Sequence, residues 1–197
     1  MIEKIKSFKD IMIEAIKNFM IKPVQYEEIS GNKIEEERKK MFDIHKKSTR
    51  NIFIVAGELE PKFYNKELAN MFREKLETNK KLKISILFSK DVSLSIEERK
   101  KQLLKKDENL ELCKLLKDGA FGGRFSMYLS TKRPDFHFGI ADETILIEKL
   151  HKSKKQRDVL LVHNYKSLIY RYIKHFKTWS KEQGVLRLNE ELFTNVA

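Results

Sequence analysis

Asn51-Ile-Phe-Ile-Val-Ala-Gly57 and Leu82-Lys-Ile-Ser-Ile-Leu-Phe88, with the segment between them, decide the fold. The first is a short, almost continuous apolar run, the pattern of a strand buried on both faces, and the second reads as the next strand. Between them Leu68, Ala69, Phe72 and Leu76 recur at helical spacing. Asn65 stands just ahead of that helix, where its side chain can accept a free backbone N–H. The whole reads as a β-α-β unit whose two strands are parallel neighbours.

Downstream, Asp91 to Asn109 is highly charged and reads as an exposed helix or loop, and Leu110 to Leu116 as a short helix stopped by Asp118-Gly119. Three strands follow closely, at Arg124 to Ser130, Phe136 to Ala141 and Thr144 to Leu150, with Asp142-Glu143 as a tight hairpin turn between the last two. Val159 to Val162 is a further short strand. Asn164 is expected to cap a long helix that carries Tyr165, Leu168, Ile169, Tyr172, Phe176 and Trp179 on one face and stops at Gly184. Upstream, Met1 to Phe19 has the spacing of an amphipathic helix, ended by Pro23, and Ser30-Gly31-Asn32 reads as a turn. A second helix from Ile34 to Lys47 is anchored by Met41 and Ile44. The chain thus divides into an N-terminal helical segment (1–48), an α/β domain (49–184) and a polar tail (185–197).

With 197 residues, 41% hydrophobic and 36% charged, the chain has the composition of a globular protein with one well-buried core. No apolar run approaches the roughly 20 residues of a membrane span. The charges scattered through Met1 to Phe19 do not read as a signal peptide. Cys113 is the only cysteine, which rules out an intrachain disulfide and fits the reducing cytoplasm. The net charge of +12 favours polyanionic partners such as nucleic acid or anionic lipid, although a generally Lys-rich surface has the same composition. Gly119-Ala-Phe-Gly-Gly123 lacks the lysine and serine of a phosphate-binding loop and reads as a plain connection.

The order strand, helix, strand, helix, three strands, strand, long helix resembles one lobe of the phospholipase D superfamily. A helix precedes the first strand, a basic helix end (Asn79-Lys80-Lys81) precedes the second, and a histidine, His137, sits on a strand just before a hairpin. The last helix follows a short strand and ends in a Phe-x-x-Trp pair, Phe176 and Trp179. The resemblance implies a mixed sheet flanked by helices, with the N-terminal helical segment as an addition. Its implied activity is that of a metal-independent phosphodiesterase or nuclease, acting as a homodimer because one lobe supplies half of a shared site.

Active members of that family carry His-x-Lys, four further residues and Asp. Here the stretch is Arg133-Pro-Asp-Phe-His137-Phe-Gly-Ile-Ala-Asp142. Aligning Asp142 puts His137 in the lysine position and Asp135 in the histidine position. Aligning His137 with the family histidine instead puts Gly139 in the lysine position. Neither register preserves the set, so the signature is degenerate. In the family one histidine attacks phosphorus, its counterpart protonates the leaving oxygen, and the lysines neutralise phosphate oxygens. Loss of that lysine leaves room for anion binding and shifts the expectation from turnover toward a phosphate-bearing ligand, above all nucleic acid. An effector-sensing or protein-interaction domain remains a further alternative.

Strand alternation places His137, Gly139 and Ala141 on one face, and Thr144, Leu146, Glu148 and Leu150 together on the next strand. Glu148 should therefore lie across the hairpin from His137, with small residues leaving space above the ring for a ligand or partner subunit. Candidate catalytic residues are His137, Asp142 and Glu148, and candidate ligand-binding residues are Arg133, Asp135, Lys149, His151 and Lys152. Asp142 taken alone reads as a turn residue. No cofactor or metal is expected, because His137, Glu148 and His151 lack a spacing such as His-Glu-x-x-His. The basic run Lys149 to Arg157 follows the site strand directly, either as a phosphate-holding loop or as a solvated one.

Overall fold

The computed structural model describes residues 24–30, 33–89, 92–105, 107–116, 121–134, 136–150 and 157–189. The amphipathic segment Met1 to Phe19, Pro23, Asp118-Gly119, Asp135, His151 and Lys152 lie outside them. In chain order the elements are β1 (Gln25–Ser30), α1 (Ile34–Lys47), β2 (Asn51–Ala56), α2 (Lys66–Thr78), β3 (Lys83–Ser89), α3 (Ile96–Lys105) and α4 (Asp107–Lys114). There follow β4 (Phe125–Ser130), β5 (His137–Ala141), β6 (Thr144–Leu150), β7 (Arg157–His163), α5 (Lys166–Trp179) and β8 (Val185–Arg187).

All eight strands form one sheet in the order β1-β7-β6-β5-β2-β3-β4-β8. The β2-α2-β3 unit is parallel, as the two apolar runs require, and β4 adds to β3 in parallel after α3 and α4. Every other pairing is antiparallel. Alternation divides the central strands between two cores. Ile52, Ile54 and Ala56 of β2 join Leu68, Phe72 and Leu76 of α2 and Met41 and Ile44 of α1 on one face. Val55 packs with Phe138, Ile140, Ile145, Ile169 and Phe176 on the other, beneath α5. Cys113 is fully buried in the larger core. Asn65 does cap α2, accepting the Leu68 amide at 3.0 Å.

The sheet extends past residues 49–184 on both sides, through β1 and β8. Both are edge strands, and each has physical reasons to escape a hydropathy reading. β1 (Gln-Tyr-Glu-Glu-Ile-Ser) has one buried apolar residue, Ile29, and Tyr26 is 77% exposed. β8 is three residues long. The two expected boundaries of the last helix also move. Asn164 does not cap α5; it adopts φ +62°, its amide donates to the Glu143 carbonyl, and Tyr165 holds the cap position. The helix ends at Trp179, and Gly184 (φ +87°) instead turns the chain into β8. The charged stretch near 91–109 resolves into α3 and the start of α4.

Asp142 fastens the hairpin to the chain entering β2. One carboxylate oxygen accepts the Thr49 amide (2.6 Å) and hydroxyl (3.1 Å), and the other accepts the Arg50 (3.0 Å) and Asn51 (2.8 Å) amides. Its own amide donates to the Asn51 carbonyl at 3.0 Å, and φ +52° suits an Asp better than most residues. Partial burial opposes ionisation, but the Thr49, Asn51 and Arg50 amides outweigh it and hold the carboxyl below its ordinary value. The stabilisation is therefore complete above the unfolded pKa near ~3.9 and is lost as pH falls through the lower folded value. Asp142→Ala should cost about 2 kcal/mol or more in urea unfolding at pH 7, with the deficit shrinking below pH 4.

Candidate functional site

The register of β5 against β2 sets which sequence candidates meet. Val55 pairs with Phe138, so His137 sits at the end of β2 that leads into Gly57. Ile52 pairs with Ala141, so Asp142 sits at the opposite end, about 17 Å away along an extended strand. Asp142 therefore does not join His137; its carboxylate is committed to the backbone of residues 49–51. Glu148 does join it. The pair is directly opposite across the β5–β6 hairpin, and His137 Nδ1 lies 2.9 Å from Glu148 Oε2. Glu148 is 6% exposed. Arg133 is exposed and does not line this site, and Lys132 is likewise exposed.

The other side of the His137 ring is closed as well. A Cβ on Gly57 would stand 2.6 Å from His137 Nε2, so a glycine is required where the β2–α2 loop crosses the ring. Nε2 is buried and has no hydrogen-bond partner among the described residues. Serine reinforces the same crossing: Ser89 at the end of β3 donates both its amide (2.9 Å) and its hydroxyl (2.8 Å) to the Gly57 carbonyl.

The expected space above Gly139 is filled from within the chain. His45 of α1 lies over that glycine, its Nε2 3.5 Å from where a Cβ would be. It is completely buried, meets the Phe72 ring edge-on at 5.8 Å, and neither ring nitrogen has a hydrogen-bond partner among the described residues. His45 is not among the residues that the sequence singles out. Its signal was the helical period: Glu37, Met41, Ile44 and His45 are the buried positions of α1, one face of an otherwise charged helix.

His45 and His137 share a pocket of about 60 Å³, room for a few water molecules. Its described lining includes Glu37, Glu58, Glu60, Glu148 and Tyr64 and contains no lysine or arginine. Burial, then the nearby Glu148, Glu37 and Glu60 carboxylates, pushes the Tyr64 phenol above its ordinary value. Phosphodiester chemistry needs cations around the phosphate oxygens. This lining supplies carboxylates and a phenol instead. No group of three or more His, Cys, Asp or Glu among the described residues could hold a metal ion.

The larger likeness is to solved structures. TrmBL2, an archaeal chromatin protein with a novel mode of DNA binding, matches over 89% of this chain and 61% of its own at 14% identity, TM-score 0.56. Nuc from Salmonella typhimurium, a phospholipase D family member, matches over 85% of this chain and 98% of its own at 11% identity, TM-score 0.52. Phosphatidylserine synthase of Haemophilus influenzae Rd KW20 matches over 95% of this chain and 48% of its own at 12% identity, TM-score 0.56. The chain thus spans about three fifths of TrmBL2 and half of the synthase. No family model and no curated protein matches the sequence. The fold is phospholipase D-like: a mixed α/β sheet flanked by helices. Among the described residues no helix is long and apolar enough to cross a membrane.

Burial, with the Lys75 charge adding to it, pushes the His45 pKa down to about 3. The folded state therefore keeps His45 neutral while the unfolded chain takes up a proton below about pH 6.5. Stability contributed by the neutral ring is present above that value and declines as pH falls, by about 1.4 kcal/mol per pH unit until the folded value is reached. His45→Leu keeps a similar volume without the titrating ring. Urea unfolding should show it at least as stable as the wild type at pH 7 and about 2 kcal/mol ahead by pH 5. An unchanged difference between the two pH values would assign the acid sensitivity elsewhere.

Proposed function

We propose that this protein is a phospholipase D-like module with a degenerate active site that binds nucleic acid and does not cleave it. One observation carries the reading: His137 is held between Glu148 and Gly57 in a pocket whose described lining has no cation. A nucleophilic imidazole needs an open Nε2 and a phosphate held beside it by positive charge. The burial of Nε2 argues against the first condition and against two His137 rings meeting around one phosphate in a catalytic homodimer, and the described lining without lysine or arginine argues against the second.

Binding is supported from elsewhere on the molecule. A net charge of +12 creates a field that attracts polyanions. With no cation in the described pocket lining, a phosphate backbone is better met on the basic outer surface. TrmBL2, which shares the fold, is a DNA-binding chromatin protein, and Nuc is a phospholipase D family member. The first makes the scaffold compatible with nucleic acid, and the site chemistry favours a non-hydrolytic role.

The test combines two assays on the full chain in EDTA. Labelled DNA, RNA and a chromogenic phosphodiester should remain intact. DNA and RNA should nonetheless bind, with log affinity falling linearly and steeply against log salt. Cleavage that vanishes in His137→Gln, a variant keeping a donor toward Glu148, would restore the phosphodiesterase reading. Absence of any salt-sensitive binding at low ionic strength would remove the nucleic-acid one.

A further inference from the structure

Resting on that reading, we infer that the outer face of α5 is the nucleic-acid interface, and that it takes a single strand: phosphates along its lysines and a base stacked on Tyr170. The inner face of α5 is accounted for by Ile169 and Phe176, which are buried, with Leu168, Tyr172, Ile173 and Trp179 packed beside them. The outer face is not. Lys166, Arg171, Lys174 and Lys177 are exposed along it, with Lys181 just past the helix end.

Three features of this face exceed what a merely soluble surface needs. Its charge is one-sided: from Lys166 to Glu182 there are five cations, Lys166, Arg171, Lys174, Lys177 and Lys181, against one acid, Glu182. Among the described residues Lys166, Arg171, Lys174, Lys177 and Lys181 form no ion pair, although α1 and α3 carry i,i+3 pairs of that kind. The start of the helix also runs against its own dipole. Helices α1, α2 and α3 carry acids in their first turns (Glu35 to Glu37, Glu67 beside the leading Lys66, Glu97 and Glu98), whereas α5 starts on Lys166 with no acid in its first turn to offset it. A cation there is unfavourable in the isolated chain and becomes favourable once an anion arrives.

The third feature is Tyr170, 70% exposed in the middle of the stripe. Positions 166, 170, 174 and 177 fall within about 80° of arc and span about 16 Å of helix. An aromatic ring open to solvent among lysines is the arrangement that stacks an unpaired base while the cations follow its backbone. A duplex, whose bases are already stacked, gains nothing from Tyr170.

The experiment uses the full chain, a fluorescent 20-nucleotide single strand and the matching duplex, titrated across salt concentrations. Three variants are compared: K174E/K177E, Tyr170→Ala, and K80E/K81E in the turn between α2 and β3, all at exposed positions. K174E/K177E should weaken single-strand binding at least roughly tenfold at low salt and flatten the log–log salt slope by about 1.4. Tyr170→Ala should weaken it by about 5- to 150-fold and leave the duplex unaffected. K80E/K81E should bind nearly as the wild type. Wild-type binding that K174E/K177E leaves intact, or that K80E/K81E abolishes, would overturn the α5 interface while the nucleic-acid reading stands. An equal preference for duplex with no Tyr170 effect would overturn the single-strand claim. Failure of the wild type to bind at all would instead sink the nucleic-acid reading itself.

Discussion

The pairing of β5 with β6 and β2 is the constraint on which the site depends. It fixes His137 opposite Glu148 at one end of the hairpin and Asp142 against residues 49–51 at the other. A slip of one residue would turn His137 into the α5 core and expose Phe138 to the polar pocket. Asp142 resists that slip through four accepted hydrogen bonds to Thr49, Arg50 and Asn51. The aspartate thus acts on the histidine only through the backbone, by holding the register that places it.

Much of this was legible in the sequence because two-residue alternation is rigid. Once the strands 136–141 and 144–150 are recognised around a two-residue turn, the facing of His137 and Glu148 follows from pleat geometry alone. The apolar runs at 51–57 and 82–88 likewise fixed the parallel centre of the sheet. What stayed hidden had weak local signals. β1 is mostly polar and solvent-facing, and β8 has three residues, so both are strands only because the neighbouring edge needs partners. The role of His45 required tertiary knowledge, since a histidine in a charged helix gives no sign that a glycine waits beneath it. Asn164 and Gly184 have the residue types of a cap and a stop, but both serve left-handed turns just outside α5.

The same packing explains why a phospholipase D-like fold leads here to a binding reading. Helix α1 lays His45 over Gly139, the loop at Gly57 closes on His137, and the described pocket lining offers carboxylates where a phosphate would need cations. Among the described residues no lysine or arginine lines that pocket, while α5 carries Lys166, Arg171, Lys174 and Lys177 and no acid. Buried histidine in such a setting is held neutral or paired, a state suited to structure more than to nucleophilic attack.

The most direct measurement of that central claim looks for the covalent bond that phospholipase D chemistry would form. Intact-mass spectrometry after incubation with a reactive phosphodiester, quenched without acid to preserve a phosphorus–nitrogen bond, reports it irrespective of turnover. The chain should remain unmodified at 23.5 kDa. An adduct mapped to His137, absent in His137→Gln, would contradict it.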